Sequence, residues 1–185
     1  VLTSLVISII IIFSVDFIFD NILQPHHRDR IENLLGISED LKGAGYNVNQ
    51  SRIAIGSGGL AGKGFLNGTQ TKFNFVPEQS TDFIFCTIGE EWGFVGSFIV
   101  IAIFFTMIFT IIHSAERQKD KFTRIFGYCI ASYLFMHVFV NIGMTIGIMP
   151  VVGIPLPLIS YGGSSFITFT ILLFIYIKLD FDKWN

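Results

Sequence analysis

The sequence predicts an all-α integral membrane protein with four transmembrane helices and a long structured extracytoplasmic loop. Three observations carry that prediction. Apolar residues make up 51% of the 185 and charged residues only 14%, little more than half the ~25% of a soluble domain. The deficit is concentrated, because Val1–Val15, Trp92–Ile112 and Ile125–Met149 contain no Asp, Glu, Lys or Arg; uncharged apolar runs of that length read as membrane spans. Phe alone contributes 21 residues, more than a water-soluble core of this size needs. A soluble globular enzyme, a disordered chain and a disulfide-stapled secreted module are excluded. A net charge of −2 leaves no basic footprint for nucleic acid.

The first span is Val1–Phe19, about 28 Å long at 1.5 Å per residue, just enough for the hydrocarbon core. It follows neither a Met nor a basic segment, so it does not read as a secretory signal, and the chain is expected to be the interior of a longer polypeptide. The second span is Phe83–Ile112, whose opening turns carry Glu90 and Glu91. The third is Ile125–Met149. The fourth, Ile159–Ile177, has Gly162, Gly163, Ser164 and Ser165 near its start, small residues that suit close helix packing. Cys86 and Cys129 fall inside apolar segments with no metal-ligand spacing and read as buried free thiols.

Orientation follows from Lys and Arg. The short connection Ser114–Arg124 carries Arg117, Lys119, Lys121 and Arg124, whereas Pro150–Leu158 carries none. Short basic loops stay in the cytoplasm, which puts 114–124 and the C-terminus inside and the loop Asp20–Thr81 outside. Loops longer than roughly 15 residues are functional or disordered, and this one is neither low-complexity nor highly charged. Ile31–Leu35 and Tyr46–Ile55 have the apolar spacing of short interfacial helices, and 55–68 is glycine-dense, IGSGGLAGKGFLNG.

The segment FVPEQSTDFIF, Phe75–Phe85, places Asp82 at the outer mouth of the second span. Pro77 suits a first turn and Ser80 or Thr81 a cap. Asp82 is either a carboxylate favoured by the helix dipole or an ionisable group lining a cavity. On one continuous helix Glu78 would stack about 40° from Asp82 and Glu90 would lie about 80° round, deeper in the span. Such a column of carboxylates is costly unless it faces water or a polar ligand. The glycine run lacks the G-x-x-x-x-G-K-[ST] pattern of a phosphate loop. Its backbone N–H groups, with Lys63 and Arg52 nearby, either hold an anionic head group or only build turns. His26 and His27 read as exposed loop residues, and His137 as a helix–helix contact rather than a proton relay. PVVGIPLPLISYGGSS, Pro150–Ser165, has three prolines that prevent regular helix. It adds Ser160, Tyr161 and Ser164 to the same mouth, as part of a site or of a structural re-entrant turn.

These two segments, with GAGYNVNQSRIAIGSGGLAGKG and GTQTKFNFVPEQSTDFIF, resemble the SEDS family of bacterial cell-wall polymerases, from about Pro25 to Lys178 in order and spacing. The last motif is closer to the RodA branch than to FtsW or SpoVE. Ser80 stands where the family commonly has His, and Trp92 where Leu is usual.

The resemblance implies that residues 1–185 are part of one domain, the C-terminal four spans of a fold of about ten in the bacterial inner membrane, and that the piece alone is inactive. It implies a peptidoglycan glycosyltransferase that polymerises lipid II during cell elongation and shape maintenance. Its substrates are lipid II and undecaprenyl-diphosphate-linked glycan, its partner is a class B penicillin-binding protein, and membrane lipids surround it. Asp82 maps onto the catalytic aspartate, with Pro77, Glu78, Thr81, Lys63, Arg52, Ser160 and Tyr161 as substrate-binding candidates and no protein metal site. A base on the acceptor 4-hydroxyl contributes roughly 10²–10⁴-fold. Diphosphate is already a good leaving group and wants positive charge rather than a second carboxyl, from Lys63, Arg52 or a divalent cation such as Mg or Mn. An α-linked donor and a β-linked product mean a single inverting displacement. The rival readings are a lipid II flippase and a non-catalytic scaffold for the transpeptidase.

Overall fold

The computed structural model describes residues 43–181, which form five helices and, among the described residues, no strand. They are α1 (Ala44–Gly58), α2 (Thr69–Lys72), α3 (Ile84–Glu116), α4 (Lys121–Thr145) and α5 (Gly163–Phe181). Three of these, α3, α4 and α5, are long and apolar enough to cross a membrane. The expected first span, Val1–Phe19, and the Ile31–Leu35 helix lie outside the described residues. A helix expected at Tyr46–Ile55 is present, as the longer α1.

The three spans agree with the apolar runs but not with their ends, and the differences in α4 and α5 have local causes. α3 runs on to Glu116 beyond the expected Ile112. α4 begins four residues early because Asp120 caps it, its carboxylate accepting from Thr123 N at 2.9 Å and from Thr123 Oγ1 at 3.0 Å. Its C-terminus comes at Thr145 rather than Met149. Gly147 takes φ +78°, Ile148 N donates to Gly143 O at 2.8 Å and Gly147 N to Met144 O at 3.2 Å, a Schellman closure. The fourth span starts at Gly163 rather than Ile159, because the proline-bearing segment before it folds back as an irregular loop with Leu158 at φ +62°.

α3 and α4 form an antiparallel pair, and α5 returns along α4. Ile108, Ile111, Ile130, Ala131, Leu134, Phe169 and Tyr176 form the shared core. A Cβ on Gly127 would come within 2.7 Å of both the Ala115 Cβ and the Tyr176 ring, so the helices meet closely there. The Tyr176 hydroxyl donates to Ile111 O at 3.2 Å, and Gln118 bonds Asp180, tying this end together. Phe94, Phe98, Phe105, Phe109, Phe135, Phe139 and Phe174 remain exposed along the spans, the arrangement of helices whose outer faces meet hydrocarbon or further helices. Cys86 is buried as expected, but Cys129 sits on the exposed face of α4, because its position in the helix points away from α3 and α5.

α1 packs against the first turns of α3, and the two loops that flank α3's start, 59–83 and 146–162, lie at the same end of the bundle. That end holds the residues singled out above.

Candidate functional site

The motif around Asp82 is a run of turns, not a helix. Asn74 and Glu78 adopt left-handed backbone, φ +56° and +52°, and α3 begins only at Ile84. The expected stacking of Glu78 on Asp82 along one helix is therefore corrected. Glu78 O instead accepts from Thr81 N and Phe83 N, both at 3.2 Å, and Glu78 Oε2 accepts from Thr81 Oγ1 at 3.2 Å. Phe83 drops into a buried cluster with Val76, Ala54 and Cys86, against Val48, Ile55 and Val151. Burying that ring between α1 and the loop anchors the turn whose next residue upstream is Asp82.

Three successive carbonyls of this turn are each held from elsewhere in the chain. Ser80 O accepts from Tyr161 N at 2.8 Å, Thr81 O from Ser160 Oγ at 2.6 Å, and Asp82 O from Asn141 Nδ2 at 2.8 Å. Ser160 Oγ also accepts from Leu156 N at 2.7 Å, and Asn141 Nδ2 donates its second proton to Ile154 O at 2.7 Å. The two sequence segments thus meet, as their shared end of the bundle predicted. Ser160 joins them through its buried hydroxyl, while Tyr161 does so through its backbone and leaves its ring exposed. With the backbone clamped, the Asp82 carboxylate faces Gly153, where an added Cβ would lie 3.3 Å from Oδ2. Partial burial, and secondarily the charge of Glu78, hold the Asp82 carboxyl above the usual carboxylate range.

A second polar centre lies beside α3. Glu90 is fully buried. Its Oε1 accepts from Lys63 Nζ at 2.7 Å, Gln70 N at 2.9 Å and Thr69 Oγ1 at 3.2 Å, and its Oε2 from Thr71 N at 2.9 Å. Glu90 is therefore enclosed by the glycine loop and the start of α2 rather than aligned with Asp82 in an open column. Lys63, a candidate for anion binding, has its ammonium committed to this carboxylate and to Thr69 Oγ1 at 2.8 Å. Arg52, the other candidate cation, is exposed on α1, with its Cδ against Gly147 at the end of α4.

The glycine run completes a break in α3. Gly93 has φ +66°, ψ −158°, so the helix cannot form its ordinary bonds across that point. Glu90 O accepts instead from Lys63 N at 3.0 Å and Glu91 O from Gly64 N at 2.9 Å, while Phe94 N donates to Gly59 O at 2.9 Å and Val95 N to Leu60 O at 3.2 Å. Two carbonyls before the break and two amides after it are thus satisfied by the loop, as a kinked helix in a membrane requires. Backbone meets backbone here: a Cβ on Gly62 would overlap the Glu91 carbonyl, and one on Gly93 the Gly62 amide. The density of glycine in 55–68 thus has a structural cause.

Sequence reasoning missed Asn141 and Gly93. Asn141 is a lone amide in an uncharged span, which was the available signal; Gly93 carried none. His137 packs between Tyr133 and Phe169, at 4.5 and 5.0 Å between ring centroids, with Nδ1 3.4 Å from Pro155 O, the helix–helix contact expected. Among the described residues no group of three or more His, Cys, Asp or Glu side chains converges to hold a metal. A groove of about 730 Å³ between α3 and α5 is lined by residues such as Phe98, Ile103, Leu173 and Asp180, away from Asp82; the convergence of polar groups, not a volume, marks the candidate site.

A family model described as a cell cycle protein, FtsW/RodA/SpoVE, matches residues 1–183. The chain is 49% identical over 146 residues to the peptidoglycan glycosyltransferase MrdB of Escherichia coli (strain K12), covering 79% of this chain and 40% of that protein. It is 42% identical over 144 residues to the peptidoglycan glycosyltransferase RodA of Treponema pallidum (strain Nichols), covering 78% of this chain and 33% of that one. A solved structure described as "Structural coordination of polymerization and crosslinking by a peptidoglycan synthase complex" aligns with TM-score 0.74 at 26% identity, over 99% of this chain and 50% of that chain. The chain thus spans about two fifths or less of these curated relatives.

Proposed function

Because the chain belongs to the FtsW/RodA/SpoVE family, we propose that it supplies the catalytic end of a peptidoglycan glycosyltransferase, a polymerase of lipid II acting in cell elongation, with Asp82 as general base. The observation that carries this reading is the Asp82 turn. Three adjacent carbonyls are pinned to α4 and to loop 146–162, and the carboxylate is left half-buried opposite Gly153 with its proton affinity raised. A base tuned upward and held on fixed backbone suits removal of a proton from a sugar hydroxyl.

In the proposed step Asp82 takes the proton of the acceptor GlcNAc 4-hydroxyl as that oxygen attacks the donor MurNAc anomeric carbon. The bond to diphosphate breaks with its electron pair on the leaving oxygen, and configuration inverts. Arg52 and Lys63 are the candidate positive charges for the diphosphate, Lys63 sharing its charge with Glu90. Pro77, Glu78, Thr81, Ser160 and Tyr161 shape the mouth. The basic connection Arg117–Arg124 faces the cytoplasm, as does the C-terminus, which sets Asp82 on the outer face of the inner membrane. A class B penicillin-binding protein is the proposed crosslinking partner, in keeping with the synthase complex that the fold resembles.

The test is Asp82→Asn in the intact polypeptide, reconstituted with purified lipid II. Glycan synthesis is expected to fall by roughly 10²–10⁴-fold while membrane insertion is unchanged. Undiminished polymer would remove Asp82 from the catalytic role; lipid II translocation without polymer would favour a transporter, and normal growth on the variant a scaffold.

A further inference from the structure

We propose that Asn141 is the positioning residue for Asp82: its amide group sets the distance between the acid and loop 146–162, and with it the geometry of the base. The inference rests on Asp82 being that base.

Asn141 sits four residues before the end of α4 and is completely buried. Both protons of its Nδ2 are used, one on Asp82 O at 2.8 Å and one on Ile154 O at 2.7 Å. The acceptors are both carbonyls, so the side chain has only one permitted orientation, NH₂ toward them. Its own Oδ1 then has no partner among the described residues. A buried amide that leaves its acceptor unmatched is a poor choice for packing alone. An apolar side chain of the same shape fits better but leaves two buried carbonyls without donors.

The geometry gives the amide a specific consequence. Ile154 follows Gly153, the residue facing the Asp82 carboxylate. A single NH₂ group therefore holds the main chain of the acid and the main chain opposite the acid at a fixed separation. Of the elements packed here, the acid's own turn brings the carboxylate of Glu78, α1 brings Arg52 against Gly147, and α4 brings His137 against Pro155 O. Loop 146–162 contains no Asp, Glu, Lys or Arg, so it acts on Asp82 by excluding water rather than by charge. Releasing the loop admits water to the carboxylate and lowers its proton affinity toward the ordinary value.

The experiment uses the intact polypeptide with purified lipid II, comparing wild type, Asn141→Leu and Asn141→Ser. For Asn141→Leu we expect turnover to fall roughly 10–100-fold, the extent a misplaced catalytic group produces, with KM within about threefold. The acid limb of kcat/KM should move to lower pH. Asn141→Ser keeps one donor and should lose less, with a limb displaced in the same direction. Should Asn141→Leu fail to fold, Asn141→Ser decides alone. Folded variants with full turnover, or with reduced turnover and an unmoved acid limb, overturn the positioning role. Full activity of Asp82→Asn, by contrast, overturns the base assignment on which it rests, so the two failures are separable.

Discussion

Replacing Gly62 by Ala tests the interlock between the glycine loop and the break in α3. Gly62 and Gly59 both have positive φ, +78° and +56°, but a Cβ on Gly59 meets nothing within 4 Å, whereas one on Gly62 overlaps Glu91 O. Gly59→Ala therefore measures backbone strain alone, about 1–3 kcal/mol. Gly62→Ala carries similar strain and also lifts the loop from the helix. That costs the four bonds Lys63 N to Glu90 O, Gly64 N to Glu91 O, Phe94 N to Gly59 O and Val95 N to Leu60 O. At about 0.5–1.5 kcal/mol each the additional loss is about 2–6 kcal/mol. Gly56, inside α1 with open space around it, supplies the opposite control: Ala there should stabilise by about 0.4–1 kcal/mol. Unfolding of the three variants in lipid nanodiscs gives the energies, and hydrogen exchange at the Phe94 and Val95 amides gives the mechanism. Both amides are protected in the native protein only through the loop, so Gly62→Ala should expose them. Equal destabilisation by Gly59→Ala and Gly62→Ala, with Phe94 and Val95 still protected, would show that the loop does not complete the helix.

The remaining expectations concern charge. Burial raises the Asp82 carboxyl, so the base form is lost as pH falls through that raised value. The acid limb of kcat/KM should accordingly lie above the ordinary carboxylate range of about 3.9, and an acid limb at or below it would contradict the burial of the site. The sign for stability is opposite. Between the unfolded and the raised folded value the native state binds more protons, so this group's contribution to stability declines as pH rises through that window, and Asp82→Asn should flatten that part of the profile. Lys63→Met leaves the Glu90 carboxylate buried with its remaining donors at Gln70, Thr69 and Thr71 and, at 3.5 Å, Ser57 Oγ. Removing one partner of a buried pair costs about 3–5 kcal/mol. The part-exposed ammonium and the surviving donors place this case at or below about 3 kcal/mol, and a double-mutant cycle with Glu90→Gln should report a coupling above about 1 kcal/mol. Coupling near zero would mean that the pair is not formed in the membrane.

Most of the architecture is legible in the order of residues. The uncharged runs at 92–112 and 125–149 mark α3 and α4 because the bilayer rejects charge along a length that hydropathy alone reveals. The pairing of the Asp82 motif with the Pro150–Ser165 segment is legible as a shared end of an antiparallel bundle. The ends of the helices are less so, since Asp120's cap and Gly147's closure are contacts of one residue each, invisible to a pattern that averages over turns. Reading Glu78, Asp82 and Glu90 as a column fails because helical spacing does not carry through a segment that turns at Asn74 and Glu78.

The amino-acid order by itself determined that the chain would be helical and membrane-embedded, that its basic connection and its prolines would sit at opposite ends, and that Asp82 would stand at a span's mouth. Those are consequences of solvation and local backbone sterics, which act residue by residue. Only the tertiary structure decided that Glu90 would take Lys63 as its partner, that glycines at 59–64 would repair the break at Gly93, and that Asn141 would bind two carbonyls contributed by separate loops. Each of these matches a buried polar group to a partner at least 13 positions away. The partner is chosen by which groups the packed helices leave unsatisfied, a property of the assembled fold that no stretch of sequence contains.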